Sequence, residues 1–331
     1  MKITILGAGS FGTAFAAHLA LFGHEVKMWT RNCERAEHIN KFHRNNSCFS
    51  ETELPHAVSA ASDIAEALAF SQHVVMAIPT QSQREVCGKI APLAEEGVHM
   101  LNLAKGIEIS TGSLLHQLHK ELCPQLVYSA LSGPSHAEEL LLDMPTTVVV
   151  ASKEESEARM WQKTVSAGSF RIYAGTDVIG LEVGGATKNI YAVAAGISKA
   201  LKLGDNALAA LACRGLAEIM RFGAKLGANP LTLSGLAGVG DLMVTCYSIH
   251  SRNFRLGLGI GSGKTLKEAS EELGQVAEGA YTVRAVVENA QKFDVEMPLA
   301  EAVYRVLYKN ESPTKLIKEL FARPLKAEMR F

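Results

Sequence analysis

An α/β fold with a doubly wound, mostly parallel sheet, followed by an all-helical second domain, is what this sequence predicts. Three observations carry the prediction. Short β-type runs alternate with helical patterns through the first half of the chain. A G-x-G-x-x-G string, Gly7-Ala8-Gly9-Ser10-Phe11-Gly12, follows the first of those runs and opens the first helical pattern. After Asp177 the strand-like runs almost vanish, and Ala, Leu, Gly and Met dominate.

The elements follow in order. Lys2–Leu6 is rich in β-formers and stops at Gly7, which predicts a first strand. Residues 11–22 carry helical spacing, and 24–29 read as a second strand. Further strands are expected at 73–78, 98–103, 125–130, 146–151 and 170–174, with helical segments filling most of the gaps. Strand and helix in alternation mean parallel strands joined by crossover helices that cover both faces. Beyond Asp177 helical periods run at about 181–203, 206–226, 265–273, 279–293, 299–309 and 313–321. With 331 residues the chain suits two domains. The expected division is a Rossmann-like NAD(P)-binding domain over 1–179 and a helical substrate and catalytic domain over 180–331.

Composition excludes several classes. The hydrophobic share is 47% and the charged share 20%, which fits a packed globular chain and not a disordered one. Lys plus Arg is 33 against 34 for Asp plus Glu, so no overall charge favours nucleic acid. Cys33, Cys48, Cys87, Cys123, Cys213 and Cys246 form no CxxC pair and no zinc spacing, so no metal is expected. His116 and His119, three apart, lack carboxylate company for a metal site. Scattered thiols point to a reducing compartment. The apolar start is glycine-spaced and unlike a leader. The stretch 181–201 contains Glu182, Lys188 and Lys199 and makes a poor membrane span. A cytoplasmic protein is expected, and its apolar helical half suggests a homodimer.

The glycine string has a physical job in this context. Gly7 permits the tight turn, Gly9 lets a pyrophosphate approach the backbone, and Gly12 lets helix and strand pack closely. The helix N-terminus offers free N–H groups to the anion. The second strand ends Met28-Trp29-Thr30-Arg31-Asn32, with no carboxylate for a ribose 2′-hydroxyl. Arg31 stands there instead, and a guanidinium suits a 2′-phosphate. NADP is therefore favoured over NAD, with NAD also accepted. A second glycine-rich string, residues 257–265, ends in Gly263-Lys264-Thr265 but has Leu258 where a phosphate loop needs its first glycine. No strand precedes it, so it reads as a loop and helix start.

Three clusters bear chemistry. Lys105 follows the strand at 98–103, at the sheet edge where ligands bind. Ser132-Gly133-Pro134-Ser135 follows the next strand, and Ser135 with Glu138 forms a capping-box pattern that predicts a helix start. Lys188 sits among Ile190, Val193 and Ala194, where a lysine is costly unless paired or used. Desolvation lowers a lysine pKa and equips it as an acid/base. Asp241 is its expected partner, Thr245 a further hydrogen bond, and Ser251-Arg252-Asn253 a donor set for phosphate.

Taken together, GAGSFGTA at 7–14, NLAKGIE at 102–108, LSGPSHAEE at 131–139, EVGGATKNIYAVAAG at 182–196, GLAGVGDLMVTCYSIHSRNFRLG at 235–257 and GQVAEG at 274–279 resemble the bacterial cytosolic NAD(P)-dependent glycerol-3-phosphate dehydrogenase family over nearly the whole chain. That resemblance implies reversible reduction of dihydroxyacetone phosphate to sn-glycerol 3-phosphate with NAD(P)H, for glycerophospholipid synthesis. It implies Lys188 as acid/base. It places Lys105, Gly133, Ser135, Asp241, Ser251, Arg252 and Asn253 at substrate-contacting positions. It places Ser10, Phe11, Arg31, Lys105, Ala137, Arg252, Val276 and Glu278 at cofactor-contacting positions. A β-hydroxyacid dehydrogenase is the competing enzyme, but those use a lysine and asparagine three apart, whereas Lys188 and Asn189 are adjacent. A non-catalytic NADP sensor would leave a buried lysine without a purpose.

Overall fold

The computed structural model describes residues 1–274, 277–325 and 327–328. Eight strands form one sheet: β1 (Lys2–Leu6), β2 (Glu25–Trp29), β3 (Val58–Ala61), β4 (His73–Met76), β5 (His99–Asn102), β6 (Val127–Ser132), β7 (Thr146–Ser152) and β8 (Phe170–Gly175). Their order is β3-β2-β1-β4-β5-β6-β7-β8. Chain order reverses at β1, with β2 on one side and β4 on the other, which opens a crevice at the carboxyl ends of the strands.

All neighbouring pairs are parallel except β6 and β7, which run antiparallel. The connection between those two explains the exception. Its helix, Ala137–Leu141, has five residues and rises only about 7 Å. The six-residue β6 is about 20 Å long, so this helix is too short to carry the chain back along the sheet as a crossover helix would. Several elements depart from the sequence expectation, among them the helices Asp241–Tyr247 and Arg252–Gly261, which lie outside the predicted helical periods, so that residues 257–261 are helix and not loop. Strand β3 was not foreseen, because Val-Ser-Ala-Ala is too short and too small-sided to stand out. The expected Ser135 cap does not form: His136 holds the N-cap position, and Ser135 Oγ donates to the Gly133 carbonyl at 3.0 Å.

The second half is helical. Its axis is Val178–Ala200, capped by Asp177, whose carboxylate accepts from the Gly180 N–H at 2.8 Å. This helix is buried from Val178 to Ser198 on nearly every side, as an apolar-all-round helix must be. Helices Asp205–Leu226, Asp241–Tyr247, Arg252–Gly261 and Glu278–Lys292 pack around it. The crossing with Arg252–Gly261 is close because it is made by glycines. A Cβ at Gly196 would lie 2.0 Å from the Phe254 carbonyl oxygen, and one at Gly257 would lie 2.1 Å from that of Val193. The Gly263-Lys264-Thr265 string turns out to join two helices, Thr265 capping Leu266–Leu273 with Glu268 as its reciprocal partner. No helix among the described residues is long and apolar enough to cross a membrane.

One buried carboxyl in this half makes stability pH-dependent. Glu218 accepts from Leu299 N at 2.7 Å, Ala300 N at 3.1 Å and Tyr191 Oη at 3.0 Å, and so caps helix Pro298–Lys309. Burial raises its pKa to about 7, against the pull of those donors. A carboxyl raised in the folded state contributes stability fully present below its unfolded pKa and lost as pH rises through about 7. From pH 4.5 to 7 the wild type should therefore lose stability relative to Glu218→Gln, by up to roughly 3 kcal/mol. Denaturant unfolding at both ends of that window checks this; an equal gap at both contradicts it.

Candidate active site

The carboxyl edge of the sheet and the helical half enclose a cleft of about 310 Å³. The loops after β1, β4, β5 and β6 and the helices that carry Lys188, Asp241, Arg252 and Glu278 build it. The turn after β1 is the floor. Gly7 adopts φ +124°, and a Cβ there would strike the Ala77 carbonyl oxygen at 2.5 Å. A Cβ on Gly12 would strike the Gly7 carbonyl oxygen at 2.4 Å. A Cβ on Gly9 would meet nothing within 4 Å, so of the three glycines only this one leaves the space beside its backbone open to a ligand. Gly9 N-caps Ser10–Leu21 with no side-chain cap, leaving first-turn N–H groups to an anion. Asn45, which sequence reasoning missed, clamps this turn from behind by donating to the Ala8 carbonyl at 3.0 Å and to Thr13 Oγ1 at 2.8 Å.

The wall opposite carries the buried charges. A π-helical turn, Leu236–Gly240, delivers Asp241 to the first position of Asp241–Tyr247. The Asp241 side chain is 0% exposed and is met by two ammonium groups. Lys188 Nζ donates to Oδ1, and Lys105 Nζ donates to Oδ2 at 2.7 Å. Lys188 Nζ also donates to Thr245 Oγ1 at 2.8 Å, and Lys105 Nζ to the Gly133 carbonyl at 2.8 Å. Burial alone would push the Asp241 carboxyl up, but the two cations outweigh it and the net shift is down. Lys188 is shifted the other way: desolvation first, then the Lys105 charge, overcome the attraction of Asp241 and bring it to about 8. The triad carries one uncompensated positive charge, which suits an anionic substrate and an oxygen gaining negative charge.

Ser251 caps Arg252–Gly261, its Oγ accepting from Phe254 N at 3.2 Å, and points the first turn of that helix at the same cleft. Arg252 is exposed along the rim. Asn253 is buried and partly committed to the scaffold: it donates to Asn189 Oδ1 at 2.9 Å and accepts from Gly279 N at 2.8 Å. Glu278 lines the cleft with one carboxylate oxygen lacking any partner, and burial raises its pKa to about 6.

The structure thus gathers Gly9, Ser10, Phe11, Gly12, Lys105, Ser135, Ala137, Lys188, Asp241, Thr245, Ser251, Arg252, Asn253 and Glu278 around one cleft. Gly7 and Gly133 stand behind the lining, the first as the turn and the second through its carbonyl. Arg31 lies outside the lining, 65% exposed beyond the end of β2 and 3.7 Å from Glu85. Val276 is outside the described residues. His116 and His119 face different partners, Glu182 and Gln83, and no group of three or more metal-ligating residues gathers among the described residues. His136, Asn189, His250 and Arg255 also line the cleft and were not singled out. Each lies inside one of the family-like motifs, so the motif itself was the available signal.

The open backbone at Gly9, the uncapped helix start and the orphaned Glu278 oxygen fit a dinucleotide lying between glycine turn and helical half. Fold and site together define a nucleotide-dependent dehydrogenase of two-part construction. The family described as NAD-dependent glycerol-3-phosphate dehydrogenase matches in both its parts, the N-terminus over residues 2–158 and the C-terminus over 177–318. The chain belongs to that family. It is 45% identical to glycerol-3-phosphate dehydrogenase [NAD(P)+] 2 of Salinibacter ruber, over 99% of this chain and 96% of that one. The Lysinibacillus sphaericus enzyme of the same type is 44% identical, over 99% and 98%. Among solved structures, the glycerol-3-phosphate dehydrogenase of Coxiella burnetii superposes with a TM-score of 0.94 at 36% identity, over 97% of this chain and 99% of that one.

Proposed function

We propose that this chain catalyses the reversible NAD(P)-dependent reduction of dihydroxyacetone phosphate to sn-glycerol 3-phosphate, with Lys188 as general acid/base. The observation that carries the reading is the buried Lys188–Asp241–Lys105 triad facing the glycine turn across one cleft. When bound between them, NAD(P)H supplies the hydride that reduces the C2 carbonyl. Ser10, Phe11, Ala137, Arg252 and Glu278 are the residues to hold it. Lys188, as ammonium, polarises the carbonyl oxygen and gives it a proton; in the reverse direction the neutral amine takes the proton back. A lysine near pH 8 serves both directions close to neutrality. Asp241 orients it and Thr245 fixes its second hydrogen bond. The Arg252 guanidinium and the N-terminus of its helix hold the phosphate, placing the reacting carbon.

Residues 1–179 serve as the cofactor half and 180–331 as the substrate and catalytic half. The product suits glycerophospholipid synthesis, and we place the chain in the cytoplasm as a homodimer. The deciding experiment is NADPH and NADH oxidation by the purified protein with dihydroxyacetone phosphate against a panel of β-keto acids. Turnover with the phosphoketone alone supports the reading; turnover with a β-keto acid alone overturns it.

The Arg31 assignment has its own test. Its guanidinium is free to meet a 2′-phosphate except for the weak, exposed contact to Glu85. Arg31→Ala should raise KM for NADPH roughly tenfold, as loss of one charge-assisted contact does, and leave NADH nearly unchanged. Equal losses with both cofactors refute a 2′-phosphate role.

A further inference from the structure

A second set of buried polar groups joins the sheet to the helical half and stays out of the cleft. Glu182 lies on the Lys188 helix, less than two turns before Lys188. Its carboxylate accepts from Tyr128 Oη at 2.6 Å and from His116 N at 2.9 Å, and meets His116 Nδ1 at 2.7 Å. Tyr128, on β6, accepts in turn from Asn102 Nδ2 at 2.9 Å. Asn102 closes β5, and its Oδ1 accepts from Gln83 Nε2 at 2.9 Å and from Ala104 N at 3.3 Å. Ala104 immediately precedes Lys105. Burial and the Glu182 charge hold the Tyr128 phenol well above its ordinary pKa, so it keeps its proton and donates. The chain therefore has one direction, Gln83 to Asn102 to Tyr128 to Glu182, with each donor matched to an acceptor.

Two members of this chain, Asn102 and Glu182, stand on the backbones that carry the two site lysines. One link between those backbones is the Lys105–Asp241–Lys188 triad. Another is this relay, beside the direct packing of the Lys105 side chain on Gly185. We propose that Glu182 and Tyr128 are positioning residues that fix the distance between Lys105 and Lys188 during catalysis. The proposal rests on Lys188 being the acid/base of the reaction.

Its consequence has a sign. The groups facing Lys188 are Asp241, Thr245 and Cys246 from its own half, Lys105 from the loop after β5 and His136 from the loop after β6. Burial lowers the His136 pKa and keeps it neutral above its ordinary range. Lys105 is then the charged group borne by the sheet half, and it holds Lys188 down. Loosening the relay lets Lys105 retreat while Asp241 stays, and Lys188 moves up.

The test is the pH dependence of kcat for Tyr128→Phe and Glu182→Gln, in both directions, beside the melting temperature and the two KM values. Tyr128→Phe removes one hydroxyl and keeps the ring, so it folds where Glu182→Gln fails to. The alkaline limb of dihydroxyacetone phosphate reduction should move up by roughly half a pH unit or more, the change expected when a like charge a few ångströms away withdraws by one or two. Glycerol 3-phosphate oxidation below that limb should fall several-fold, with KM for NADPH unchanged. A limb that stays in place in Tyr128→Phe, whatever the melting temperature does, overturns the positioning role. A wild type that shows no turnover with the phosphoketone overturns the proposed function instead, and the two failures are separate.

Discussion

Lys188→Ala is expected to lose about 10²- to 10⁴-fold in kcat, the range for removal of a general acid/base, or about 3–5 kcal/mol of barrier. The structure says why the loss should be confined to chemistry. Removing the Lys188 ammonium leaves Asp241 paired with Lys105 at 2.7 Å, so no buried carboxylate is stranded. The glycine turn and Glu278 are untouched, so NADPH should bind as before. Steady-state kcat and NADPH titration of the same preparation check both halves of this expectation. Near-normal turnover would remove Lys188 from the mechanism.

Asp241→Asn is expected to cost both stability and pH range. The carboxylate is fully buried between two ammonium groups. Neutralising it leaves two like charges facing each other in a desolvated pocket, a change that typically costs about 3–5 kcal/mol. Denaturant unfolding measures that loss; a change within about 0.5 kcal/mol, as for an ordinary surface substitution, counts against the buried triad. The sign for catalysis follows from the same charges. Asp241 raises Lys188, while burial and Lys105 lower it to about 8. Without Asp241 the lysine drops further. Reduction needs the ammonium, so its alkaline limb should move toward neutral pH, opposite to the movement expected for Tyr128→Phe. Oxidation needs the free amine, so its rise should begin at lower pH.

Sequence and structure divide this protein along a physical line. Local rules made the fold class legible: β-type runs alternating with helical periods, a glycine string placed between strand and helix, and the disappearance of strands after Asp177. The same rules marked Lys188, because an ammonium amid apolar neighbours on a helix is conspicuous wherever the helix lies. Short-range rules failed where tertiary contact overrode them. Ser135 had a capping pattern, yet its hydroxyl turned to the Gly133 carbonyl that also holds Lys105. The β7 strand had no signal for its direction, and its antiparallel course goes with a connection whose helix is only five residues long. Asn45 clamps the nucleotide turn from 37 residues beyond Ala8, with nothing local to announce it.

What the chain determined by itself is which residues form helices and strands and which carry charge in apolar surroundings, since those depend on neighbours a few positions away. What only the folded structure decided is which charges meet. Asp241 is 53 residues from Lys188 and 136 from Lys105. Their encounter, and the lysine protonation it sets, exists only because the helical half packs its axis across the carboxyl edge of the sheet and shuts water out.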